Sequence, residues 1–141
     1  MKKAITYSEI LQNLKSHLIA SDLGLTVEMS PRMLKPIDAD KAVLIVPESV
    51  AKEETGSGFY EREITVYLYV LLKTARLYDD AGLLSLLNLT EDVEKSLQDE
   101  TFNNAVIDPY IEIDSFDAIP TDMQRFIYGA LLIYTAKIEG D

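Results

Sequence analysis

The 141-residue sequence has no cysteine and a single histidine. Without cysteine there is no disulfide, no thiolate zinc or iron–sulfur site and no thiol nucleophile. The lone histidine, His17, has no second imidazole with which to share a metal, and no G-x-S-x-G serine elbow for which it could act as a triad base. Basic residues are scarce too: 13 Lys and Arg stand against 24 Asp and Glu, a net charge of −11. That balance argues against nucleic acid as a specific ligand, because basic side chains make phosphate contacts. Long apolar runs are missing. The longest, Phe126 to Ala136, has eleven residues, where a membrane helix needs ~20. The start, MKKAITYSEIL, shows no apolar signal core and no small-residue cleavage site, so synthesis and action are expected to begin in a cytoplasm. Asn88-Leu89-Thr90 matches a glycosylation sequon by chance in that setting.

What is present is ordinary globular composition, 48% hydrophobic and 26% charged with six Gly and five Pro. The length suits one domain spanning 1–141. Charge is unevenly spread: residues 79–122 hold twelve acids against one base, Lys95, and the remainder holds twelve of each sign. By itself this reads as a solvated, solubilising face.

Thr6-Tyr7-Ser8-Glu9 fits a capping box, and Tyr7, Ile10, Leu11, Leu14 and Leu18 recur at helical spacing, so a first helix is expected over about 6–20 with Gly24 as its stop. Leu25–Met29 alternates as a strand, and a loop bracketed by Pro31 and Pro36 follows. Ala42–Val46 is a short apolar strand closed by Pro47, covered on both faces or central in its sheet. The stretch PESVAKEETGSG reads as a flexible loop, mobile in a free subunit. Residues 59–73 form the strongest strand: Ile64, Val66, Leu68, Val70 and Leu72 face the core, and Glu63, Thr65, Tyr67, Tyr69 and Leu71 face away. Asp79 or Asp80 caps a second helix, whose stripe is Leu83, Leu84, Leu86, Leu87, Val93 and Leu97. Pro109, between Ala105-Val106-Ile107 and Tyr110–Ile113, suits an edge strand or a bulge. Residues 125–138, RFIYGALLIYTAKI, are ambiguous, since Thr121–Gln124 mimics a helix cap; aromatic and β-branched content favours a strand pairing with 62–73. The order is α-β-β-β-α-β-β, an α+β class domain with a mainly antiparallel four- to five-stranded sheet and two main helices packed on it.

Candidate chemistry is thin. Asp79-Asp80 is explained by capping. Asp108, Glu112, Asp114 and Asp117 could ring a hard cation or serve a hydrolase, but they lack the spacing and turn glycine of a calcium loop. Gly56-Ser57-Gly58 is too short for a phosphate cradle and leads into a strand rather than a helix. No catalytic residue, metal ligand or cofactor site is assigned, and no enzyme activity is expected. Tyr67, Tyr69, Tyr128 and Tyr134 are either core packing or an exposed aromatic surface for protein contact.

The helix TYSEILQNLKSHL, the strand AVLIVP, the linker after it, FYEREITVYLYVLL, the leucine-rich helix and the closing RFIYGALLIYTAKI together resemble the tail-terminator and neck-completion proteins of long-tailed bacteriophages and prophages. The likeness lies in size, element order and strand character over nearly the whole chain, with no diagnostic motif. It implies a non-enzymatic subunit of a virion tail or neck that assembles with itself, usually as a hexameric ring. Such a ring caps the tail tube and joins it to the head connector. Contact by loops and sheet edges would then fall on Pro47, Glu48, Lys52, Glu53, Glu54, Gly56 and Gly58, with Tyr67 and Tyr69 on the long strand.

Apart from that likeness, strands longer than the usual five or six residues leave edges that must be paired, protected or used for assembly. A head-to-tail ring needs two different patches per subunit, which suits one acidic region and a remainder of balanced charge. If 79–122 lined a lumen crossed by DNA, its negative potential would discourage sticking. A small acidic secretion-chaperone-like module, expected as a dimer, is the alternative.

Overall fold

A computed structural model describes residues 5–30, 39–56, 59–74, 80–120 and 126–140. The elements are α1 (Tyr7–Ile19), β1 (Thr26–Met29), β2 (Lys41–Gly56), β3 (Phe59–Thr74), α2 (Asp80–Leu97), β4 (Ile107–Pro120) and β5 (Phe126–Gly140). The order is the one read from the sequence, and the class is α+β. The strands form one sheet in the order β1-β2-β3-β5-β4, with β1 parallel to β2 and every other pair antiparallel. The loop between Pro31 and Pro36, Asp79 and the cap-like Thr121–Gln124 lie outside the described residues.

Helix α1 starts as its cap predicts: the Glu9 amide donates to Thr6 Oγ1 at 3.1 Å, and that hydroxyl donates to the Glu9 carboxylate at 3.0 Å. With its two caps it fills the expected span, 6–20. Ala20 caps it, and Gly24 turns the chain four residues later, at φ +69°, between α1 and β1. Ile10, Leu14 and Leu18 are fully buried on its inner stripe.

Of the segment 125–138, Arg125 lies outside the described residues and the rest is strand, within β5. Tyr60 to Thr74 pair with Gly140 to Phe126 without interruption, so the two longest β-rich segments of the sequence form the middle of the sheet. Ile64, Val66, Leu68, Val70 and Leu72 of β3 and Ala130, Leu132, Tyr134, Ala136 and Ile138 of β5 face the helices and make the core with α1 and α2. Helix α1 lies over β1 and β2, and α2 over β3, β5 and β4. Pro109 falls at a register shift of β4, which is an edge strand, as a missing amide donor requires.

Two expectations are corrected. Pro47 does not end β2, and 48–56 is not a loop: after a register shift between Pro47 and Ser49 the strand runs on to Gly56, paired with β3. Beyond β1, which reaches only to Ile45, this half of β2 is a free edge among the described residues, and Pro47 to Glu54 are exposed on both faces. Burial patterning is absent there because, among the described residues, nothing covers either face of 47–54, which is why the stretch reads as a loop. The second correction concerns α2, where Leu86, Leu89, Thr90, Val93 and Leu97 are buried, whereas Leu83 and Leu84 are 43% and 58% exposed. Thr90 tolerates burial because its hydroxyl donates to the Leu86 carbonyl at 2.7 Å.

Among the described residues, no helix is long and apolar enough to cross a membrane.

Candidate assembly surface

Both helices sit on one face of the sheet, and the opposite, open face has no helical layer among the described residues. Register places Ala42, Leu44 and Val46 of β2, Tyr67, Tyr69 and Leu71 of β3, and Leu131 and Ile133 of β5 side by side on that face, where the three β2 residues are buried and the other five half-buried. Tyr67 and Tyr69 are half-buried and stack edge to face, 6.4 Å between centroids at 86°. Burial pushes the Tyr69 phenol above its ordinary range, and the nearby Tyr67 and Glu48 add to the rise. Tyr134 does not join them. It alternates to the helix side, is fully buried, and its hydroxyl has no hydrogen-bond partner among the described residues. The side chain of Tyr128 lies outside those described.

The other predicted contact residues form an arm, the far ends of β2, β3 and β5. Pro47 and Ser49 flank the register shift, leaving Glu48 as the unpaired extra residue. Beyond it both faces of the arm carry charges of both signs, with Glu54 on the face of Lys52 and Arg62 and Lys137 on the face of Glu53 and Glu61. Lys52 and Arg62 are register partners on the helix side. Glu53 and Glu61 are register partners on the open side, where Lys137 reaches Glu61 at 3.5 Å. Glu54 pairs with Tyr60, Gly56 with Phe59, and Gly58 lies outside the described residues. Lys52 Nζ stands 4.0 Å from the Tyr60 ring centre and Arg62 Cζ 5.9 Å from that of Tyr7. The Lys52–Arg62 juxtaposition could not be read from the sequence, because it depends on a hairpin register inside a stretch that reads as a loop.

Asp108, Glu112, Asp114 and Asp117 are exposed along edge strand β4. Asp108 and Asp114 fall within its two register shifts. Among the described residues no three His, Asp or Glu come close enough together to hold a metal ion. His17 is structural: Nε2 donates to the Ser96 carbonyl at 2.7 Å, and its ring meets Phe102 edge-on at 5.8 Å. A cleft of about 630 Å³ opens between the α1–β1 turn and α2, over Leu72. Leu23 and Leu89 line it with Lys41 and Lys73 on one side and Asp22 and Asp92 among its other residues, a mixed wall that converges on no single chemistry.

No family model matches the chain, and no curated protein matches it. A chain of the virion of a native gene transfer agent (GTA) particle matches it from end to end, covering 96% of this chain and 100% of its own, with a TM-score of 0.59 and 16% identity. The two share a fold. An extracellular contractile injection system, the PVC sheath/tube terminator in its extended state, aligns over 94% of this chain and 57% of its own at a TM-score of 0.45 and 10% identity.

Proposed function

We propose that this chain is a non-enzymatic structural subunit of a phage or prophage tail or neck, a single domain spanning 1–141 that assembles into a ring, capping the tail tube and joining it to the head connector. The observation that carries the reading is the fold likeness to a chain of a gene transfer agent virion, over 96% of this chain and 100% of the other. The surface supports it: the sheet face away from the helices carries the half-buried pair Tyr67 and Tyr69, and beyond β1 the exposed end of β2 is an edge with no outer strand partner among the described residues. Its partners are then further copies of itself, the tube subunit and the connector, and its place is the virion.

The test is the solution mass of the full chain by light scattering across a concentration series at two salt concentrations, followed by addition of assembled tail tubes. A mass of about six subunits, or ring density at tube ends in electron micrographs, is the expected result. A stable dimer that ignores tubes would transfer the fold to a chaperone-like binding module.

A further inference from the structure

Tyr67 and Tyr69 follow one another on the same face of β3, and their rings meet at 86° with centroids 6.4 Å apart, two walls of a right-angled corner. The faces of aromatic rings carry partial negative charge, so such a corner attracts a cation from two sides. Aliphatic side chains surround it: Val46 and Ile133 are the ladder partners of Tyr67, and Leu44 and Leu131 those of Tyr69. Both rings are half-buried, and the attraction between cation and ring grows as water is excluded. A carboxylate stands beside the corner. Glu48 is exposed, is the extra residue of the β2 bulge, and lies close enough to Tyr69 to help keep its phenol protonated. Among the described residues Glu48 has no ion-pair partner. Elsewhere the chain places its own cations over tyrosine rings, Lys52 over Tyr60 and Arg62 over Tyr7, whereas no described Lys or Arg lies over Tyr67 or Tyr69.

We propose that the corner between Tyr67 and Tyr69, with Glu48 at its rim, receives a lysine or arginine side chain of a basic partner protein. This rests on reading that face as a contact surface and names the chemistry of what it contacts. The rings supply the seat and Glu48 the opposite charge, so a cation gains there what a neutral group of the same size does not. An apolar side chain would use the rings and leave the carboxylate without a partner. A second copy of this chain fits the seat poorly. At a net charge of −11 two copies repel each other. Of the described bases, Lys52 and Arg62 already lie over tyrosines of their own chain, and Lys137 is paired with Glu61.

The probe is the tetramethylammonium ion, with tert-butanol as a neutral molecule of similar size. Each is titrated into the full chain while the ring signals of isotope-labelled tyrosine are followed by NMR, and circular dichroism verifies the folding of every variant. Saturable shifts at Tyr67 and Tyr69 are expected with the ion, and binding roughly tenfold weaker with the alcohol. Tyr69→Leu is expected to weaken binding of the ion about tenfold and Glu48→Gln about threefold, whereas Tyr69→Phe, which keeps the ring, stays within about twofold of the parent. Glu48 is exposed, so Glu48→Gln reports on the seat should Tyr69→Leu fail to fold. Equal response to ion and alcohol overturns the cation seat in favour of an apolar contact. A titration with the ion that shows no saturable shift overturns it too, while the ring reading stands or falls separately on the solution mass. Self-association that is lost in folded Glu48→Gln overturns the basic partner in favour of a second copy.

Discussion

His17 Nε2 lies 2.7 Å from the Ser96 carbonyl oxygen, so the last turn of α1 is tied to the last turn of α2. The carbonyls at a helix C-terminus have no intrahelical donor, and this one receives its donor from another helix. The Phe102 ring, edge-on to the imidazole, closes the junction. His17→Ala is expected to lower stability by about 1–2 kcal/mol through loss of the bond and of ring packing, read as a lower urea midpoint at unchanged m-value. A midpoint equal to the parent's would show that the bond contributes nothing.

Tyr134 presents the reverse case, a hydroxyl inside the core with no partner among the described residues. Tyr134→Phe is expected to leave stability unchanged or raise it by up to about 1–2 kcal/mol, because an unpaired buried polar group is removed and the ring remains. A loss of more than 1 kcal/mol in thermal unfolding would reveal a hydrogen bond in solution.

The same side chain sets an alkaline limit. Burial, and secondarily the charge of Glu100, raise the Tyr134 phenol well above its ordinary 10.0. Above that ordinary value the unfolded chain releases the proton while the folded chain retains it, so the unfolded state binds fewer protons and stability falls as pH rises. The stability contribution is present in full below pH 10 and is lost progressively above it. The decline should be shallower in Tyr134→Phe when denaturation midpoints are followed from pH 9 to 11.

The exposure of the α2 leucines separates core from surface within one apolar run. Leu86→Ala should cost about 2–5 kcal/mol, whereas Leu84→Ser should stay within about 0.5 kcal/mol in the free subunit. Comparable losses at both positions would mean that α2 is rotated relative to the orientation described.

At the N-terminus of α1, Thr6→Ala removes the acceptor for the Glu9 amide. About 1 kcal/mol should be lost in equilibrium unfolding, and Thr6→Ser should recover most of it.

Local rules made much of the fold legible. The Thr6 and Glu9 side chains, the spacing of Ile10, Leu14 and Leu18, and the two-residue alternation from Ile64 to Leu72 are determined by neighbours in sequence, and each appears as read. Segment 125–138 was the harder case, because its apolar residues satisfy both periods. Its β-branched and aromatic content pointed to strand, and pairing with β3 along its whole length made it one.

By itself the sequence determined that this chain has no thiol and no second imidazole, which follow from composition, and no apolar run beyond eleven residues, which follows from residue order. It also determined the element order, since helical and strand periods are written in adjacent residues. Tertiary structure decided the rest. Residues 48–56 are strand because β3 supplies the ladder partners that their own polar, unpatterned side chains do not announce. Leu84 is outside and Leu89 inside because the sheet meets α2 on one flank only. Lys52 faces Arg62, with the acids of β4 at the opposite edge, because register and strand order are properties of the assembled sheet, which no single segment carries.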